Sequence, residues 1–195
     1  MIHLASIETR SPRSDAARNR EQLLAVATRV LASAHTEPSM RAIAKEAGVG
    51  IATLYRNFPT RESLVEAVYR DQVIRLTNGA AELLAHETPD VALRRWMDLF
   101  GDWIAAKSGM IATLLSMVES GDTTHARTRE QLLEAISTIL DAGVKAGVLR
   151  PDISAEDLSA GLIGIFTVAH QAGPSVNANK LLDILLDGLR PRTGS

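Results

Sequence analysis

The chain has 195 residues, 46% of them apolar, which suits one or two small packed domains and excludes wholesale disorder. It holds no cysteine, which excludes disulfide staples and thiolate metal sites and fits a reducing compartment. The net charge of −2 conceals a split: residues 1–61 carry nine basic and five acidic side chains, net +4, and the remainder is net −6. A polyanionic partner is therefore expected for the first third alone.

Met1 to Arg20 contains no apolar stretch long enough for a secretion signal. The longest apolar segment, Leu158 to Ala169, falls short of the roughly 20 residues that span a bilayer, so a soluble cytoplasmic protein without membrane contact is expected. No segment alternates apolar and polar residues in the manner of a strand, and helical spacing recurs throughout, so the predicted class is all-α with about nine helices. Residues 1–13, with Pro12 and several arginines, read as a flexible basic arm. Leu23, Leu24, Ala27, Val30 and Leu31 then fall on one face of a helix over Asp15–Ala34. Ser39 is placed to cap Met40–Ala47; Ala42 leaves the reciprocal half of a capping box missing. Gly48 suits a left-handed turn, and a short helix over Ile51–Asn57 is stopped by Pro59. Thr60 caps a long helix through Leu64, Val68 and Leu76. Further helices are predicted over Asp90–Ala106, Met110–Glu119, Thr124–Ala146, Ser154–Ala172 and Asn177–Leu189, with Gly147, Pro151 and Gly173-Pro174 as punctuation.

The segment Ser39 to Leu64 carries the sharpest signal. Ile43, Ala44 and Ala47 form a small apolar face that lets a second helix approach, and Gly48 permits the steep turn between them. Val49, Leu54 and Phe58 point back to the core. Gly50, Ile51, Ala52, Thr53, Tyr55, Arg56 and Asn57 are left on the outer surface of a short helix of the kind that enters a major groove. The run AIAKEAGVGIATLYRNFPTRESLVEAV resembles the DNA-binding domain of the TetR family of bacterial regulators over roughly residues 16–70. The body, through LRRWMDLFGDWIAAKSGM and LDAGVKAGVLRPDISAEDL, resembles one branch of that family.

The resemblance implies a helix-turn-helix domain over residues 14–60 and a helical ligand-binding and dimerisation domain over 61–190. It implies phosphate contacts at Ser39, Thr53, Tyr55 and Arg61, with Thr60 beside them, a backbone or groove-edge contact at Arg41, and base reading by Arg56 or the backbone near Gly50. Gly50 stands where relatives commonly carry Ser or Thr, and Ile51 and Ala52 are apolar where polar readers often sit. Direct readout is therefore expected to be sparse, with DNA shape supplying the rest.

In the body, Trp96, Phe100 and Trp103 recur on one helical face, with Met97, Met110, Leu114 and Met117 near in sequence. Two readings stand side by side: an adaptable cavity for a small apolar or amphipathic ligand, and ordinary core packing. The family resemblance favours the cavity, to which Phe166 and His170 are added from a later helix; a satisfied structural role for His170 stays open. Leu132, Ile136 and Leu140 on one helix, and Leu158, Gly161, Leu162, Ile165 and Ala169 on another, are expected to form a four-helix homodimer interface with a second chain; internal core is the competing reading. The two glycines at 161 and 164 point to close helix approach.

His3, His35, His86 and His125 show no metal-ligand spacing, so neither metal nor cofactor is expected. Asp98 and Asp102 share a helix face, yet no nucleophile or phosphate loop accompanies them and no enzyme is expected. The functional expectation is a homodimeric repressor that binds double-stranded operator DNA and is released by a small molecule. Gating by a protein partner is the alternative.

Overall fold

A computed structural model describes residues 12–33, 36–119 and 124–191. Among the described residues there are nine α-helices, one 3-10 turn and no strand. In chain order they are α1 (Pro12–Ser33), α2 (Met40–Glu46), α3 (Ile51–Asn57), α4 (Arg61–Leu84), α5 (Pro89–Ser108), α6 (Ile111–Glu119), α7 (Thr124–Lys145), α8 (Ala155–Ala172), the turn Gly173–Ser175, and α9 (Ala178–Gly188). None of the described helices is long and apolar enough to cross a membrane.

The helix starts follow from side-chain capping. Ser39 Oγ accepts from Ala42 N at 3.2 Å, the single-sided cap expected without a Glu at the third position. Thr60 and Ser63 cap α4 reciprocally, and Ser154 and Asp157 do the same for α8; both boxes use short side chains in place of the usual Glu or Gln. Gly48 sits at φ +65°, the left-handed conformation that closes α2 and turns the chain into α3. The helix α1 begins at Pro12, so residues 12 and 13, expected in the arm, belong to it; a proline fits the first helical turn because its missing N–H would be unpaired there. The rest of the expected arm, Arg10 included, lies outside the described residues, as do His3 and His35.

The centre of the molecule is α4, which packs against α1, α5, α6 and α7. A continuous core runs from Leu23 and Leu31 in α1, through Leu54 and Phe58, to Trp96, Phe100, Ile136 and Leu182. Head and body therefore share one hydrophobic interior and are not two separately packed units. Two close approaches fasten it. A Cβ on Gly109, after α5, would lie 1.8 Å from the Leu31 carbonyl oxygen of α1. A Cβ on Gly101 would meet the Phe166 ring of α8 at 2.6 Å. Trp96 is fully buried, and its indole N–H donates to the Leu76 carbonyl at 2.8 Å. An unpaired donor there would cost about 1–3 kcal/mol.

Candidate DNA-reading head and effector cleft

Leu54 and Phe58 anchor α3 on the core with 0% and 1% exposure, while Ala52, Tyr55 and Arg56 face solvent on its opposite side. Tyr55 is 46% exposed, so its ring is free to meet a partner and is not core. Gly50 caps α3 with no side-chain hydrogen bond, which leaves the helix's first N–H groups uncovered by a side chain. Ser39 and Arg41 are exposed on the same head. Several expected contact residues are already engaged within the head. Arg56 folds back so that its Nη2 donates to Thr53 Oγ1 at 2.9 Å, and Asn57 Nδ2 donates to the Thr53 carbonyl at 2.9 Å. Thr60 Oγ1 accepts from Ser63 N in the cap of α4. Ile51, expected outside, is half-buried and packs on the core. At the rear of the head the Arg20 guanidinium lies 4.9 Å from the centre of the Phe58 ring, a cation–π contact that screens the core.

Arg61 departs most from expectation. Its guanidinium turns inward: Nη1 donates to the Pro38 carbonyl at 2.5 Å, Nε donates to Thr113 Oγ1 at 3.1 Å, and Nη2 lies 3.4 Å from Glu37 Oε2. Glu37 Oε1 in turn accepts from the Thr113 amide and hydroxyl at 3.2 and 2.9 Å. Thr113 is buried, and the Arg61 and Glu37 side chains keep 23% and 25% of their exposure. The expected phosphate role for Arg61 is at odds with this geometry: Nε and Nη1 donate inside the protein, and Nη2 is buried beside Glu37 without a hydrogen-bond partner. The cluster ties the loop before the helix-turn-helix to α6 through the first residue of α4.

The body holds an open-sided cleft of about 240 Å³ between α4, α5, α7 and α8. Phe100, Trp103 and Lys107 line it from one face of α5, Tyr69 from α4, and Arg129 and Leu132 from α7. The aromatic rings pack tilted against one another, with centroids 5.3 Å apart for Phe100 and Trp103 and 6.4 Å for Tyr69 and Trp103. The Lys107 ammonium lies 5.2 Å from the centre of the Trp103 ring, and burial pushes its pKa down.

Two family models cover most of the described chain: bacterial regulatory proteins of the tetR family over residues 23–68, and the C-terminal domain of SbtR-like transcriptional regulators over residues 88–191. A TetR transcriptional regulator from Streptomyces coelicolor superposes with a TM-score of 0.79 at 42% identity, covering 89% of this chain and 99% of that one. The chain belongs to the TetR family of transcriptional regulators. A TetR regulator from Mycobacterium vanbaalenii is similar at 32% identity and a TM-score of 0.71, covering 93% of this chain and 100% of that one. A transcriptional regulator from Saccharomonospora viridis, solved in complex with choline, shares the fold at 19% identity and a TM-score of 0.64, covering 90% of this chain and 100% of that one. No functionally curated protein matches the chain.

In this TetR-family body the expected ligand and interface residues redistribute. Phe100 and Trp103 do line the cleft. Trp96, Met110 and Leu114 do not, because all three are sealed in the core, Trp96 with its donor already used. Met117 is half-buried against the core; Phe166 packs 6.2 Å from Phe100 and fills the space left by Gly101; His170 is exposed near the end of α8. The expected interface is corrected in the same way. Leu132, Ile136, Leu140, Leu158 and Leu162 are 6%, 0%, 6%, 1% and 0% exposed within one chain, so they hold α7 and α8 on their own core. Ile165 and Ala169 are half-buried. Gly161 makes an ordinary approach to Leu185 of α9, and Gly164 faces open space. The exposed apolar side chains at this end are instead Ile163 and Val168 on α8 and Ile184 on α9, at 48%, 50% and 61% exposure. Sequence reasoning missed them because α8 is apolar on both faces, and periodicity does not rank two apolar faces. It also missed Tyr69, Lys107 and Arg129, which become neighbours only through tertiary packing.

Proposed function

We propose that this regulator is a homodimeric repressor that leaves its operator when a small molecule enters the body cleft. The observation that carries the reading is the Glu37–Arg61–Thr113 cluster, which joins the head to α6 by side-chain hydrogen bonds at 2.9 and 3.1 Å. With it, a displacement of α6 is felt by the loop that carries Ser39 and the helix-turn-helix. Two heads on a two-fold axis would read half-sites about 34–36 Å apart, and the exposed apolar residues Val168 and Ile184 support pairing through α8 and α9. At the DNA, exposed Tyr55, Arg56, Arg41 and Ser39 supply most of the contacts, with few base-edge donors on Gly50, Ile51 and Ala52.

The test is selection of bound sites from random double-stranded DNA by the purified protein, followed by anisotropy titrations on the enriched site. An inverted repeat is the expected product, bound with a steep salt dependence. Failure to enrich any sequence overturns the reading. Genes beside that site in the source genome then give candidate effectors for release assays. Activation of a reporter from that site in cells, in place of repression, overturns the sign.

A further inference from the structure

We propose that the body cleft takes a small amphipathic carboxylate, its apolar part on Phe100, Trp103 and Tyr69 and its anionic end between Lys107 and Arg129. The inference rests on the reading of the body as ligand-responsive and deepens it by naming the effector's chemistry.

Three observations select that class. The first is charge. Both charged side chains on the cleft wall are cationic, one from α5 and one from α7, and neither makes an ion pair among the described residues. Other cations that border α5 are matched: Arg94 meets Asp98 and Asp183, and Arg95 meets Glu87. A bound anion in the cleft would be attracted by both Lys107 and Arg129, one from each helix. The Arg129 guanidinium adds a fork of donors that suits a carboxylate.

The second observation is an orphan donor. The Trp103 indole nitrogen is buried and has no hydrogen-bond partner, in a residue only 6% exposed. The other tryptophan of the chain, Trp96, is satisfied by the Leu76 carbonyl. A buried unpaired N–H is rare because it forfeits its bond to water without replacement. An acceptor that reaches this nitrogen from the cleft would supply what Trp103 lacks. A cationic ligand of the choline type offers no such acceptor at its charged end and meets two like charges.

The third is size. An apolar cavity of about 150 Å³ accommodates benzene, so the 240 Å³ here holds one ring or a short alkyl chain with a carboxylate arm. Lys107 matches this picture, since a partly desolvated ammonium gains more from an incoming anion than a solvated one does.

The experiment uses calorimetric titration of the full-length protein, without DNA, by three probes of one shape: phenylacetate, phenylacetamide and phenethylamine. Phenylacetate is expected to bind saturably, at least about tenfold tighter than the amide, with the amine weakest. Lys107→Met and Arg129→Met are each expected to weaken phenylacetate by about tenfold and to leave the amide unchanged. Trp103→Phe keeps a ring in place, removes the N–H, and is expected to weaken phenylacetate and amide alike. The outcome does not hang on its folding, because the two cation variants alter solvent-accessible side chains and decide the matter alone. The proposal is overturned by equal binding of the three probes, by preference for the amine, by no saturable phenylacetate binding up to about 10 mM, or by indifference of phenylacetate to both cation variants. Operator binding is measured separately by anisotropy. A protein that binds its operator but fails the probe pattern refutes the carboxylate assignment alone, whereas absence of operator binding refutes the regulator reading whatever the probes do.

Discussion

Arg61→Met separates an internal role from a DNA contact in one variant. The substitution keeps the apolar stem and deletes donors that reach the Pro38 carbonyl at 2.5 Å and Thr113 Oγ1 at 3.1 Å, with Glu37 3.4 Å away. Two hydrogen bonds from a charged donor are worth about 1.5–3 kcal/mol each when well buried. Here Arg61 and Glu37 keep 23% and 25% of their side-chain exposure, and water can reach the orphaned acceptors, so a loss of about 2–4 kcal/mol is expected. In a chain of this length each kcal/mol moves Tm by about 2–4 °C, which predicts a fall of roughly 4–16 °C by calorimetry. Thr113→Val removes the hydroxyl shared by Arg61 and Glu37, and the double variant should show a coupling of about 1 kcal/mol or more with Arg61→Met. The same variant is titrated on operator DNA at several salt concentrations. An internal Arg61 leaves the slope of log affinity against log salt unchanged, whereas a phosphate contact lowers it by about one. An unchanged Tm together with a slope reduced by one would refute the internal role and restore the phosphate contact.

Gly109→Ala places a methyl group 1.8 Å from the Leu31 carbonyl oxygen, a backbone atom that cannot swing aside, so the chemical-denaturation midpoint should reflect a loss of about 3 kcal/mol or more; a wild-type midpoint would show that α1 and α5 are not in such contact. The paired change Val168→Glu and Ile184→Glu, at two exposed positions, should convert the proposed dimer to monomer in sedimentation and leave Tm of the monomer fold largely intact; an unaltered dimer would move the interface elsewhere. Burial, and then the like charge of Asp98, hold Asp102 above the usual carboxylate range. A raised folded pKa stabilises the fold below the unfolded carboxylate pKa and loses that contribution as pH rises through the folded value, so Asp102→Asn should raise Tm at neutral pH by on the order of a degree, with the gain closing toward about pH 4. A gain that grew on acidification would contradict the sign.

What could be read from sequence was what is encoded locally. Ser39, Gly48, Leu54 and Phe58 each act within a few residues of themselves, through a cap, a left-handed φ or a helical repeat, so the scaffold of the head was legible in sequence. Arg61 was misread because its partner Thr113 lies 52 residues away, and a basic residue at a helix start looks the same whether it faces a phosphate or a carboxylate of its own chain. The body was legible as helices and not as surfaces. Leu158 and Leu162 are core while Ile163 and Val168 are exposed, yet all four belong to one apolar helix. The cleft was half legible: the α5 stripe announced Phe100 and Trp103, but the cations that give it a chemical preference come from two elements, one of them on another helix.

The route from cleft to head is short. Lys107 ends the cleft wall on α5; two residues later Gly109 is clamped on the Leu31 carbonyl, and Met110 is fully buried. Three residues beyond that, Thr113 holds Glu37 and Arg61. On the proposed reading, a shift of the α5 end drawn by a ligand on Lys107 would reach α6 across the two-residue turn of Gly109 and Met110, moving α1 or loosening the Thr113 cluster. A hundredfold loss of operator affinity corresponds to about 2.7 kcal/mol, within the usual range of coupling between sites. The cluster's expected contribution of about 2–4 kcal/mol is of that size. Loosening this one set of contacts is therefore sufficient in energy for release, provided that the ligand binds the loosened state more tightly by the same amount.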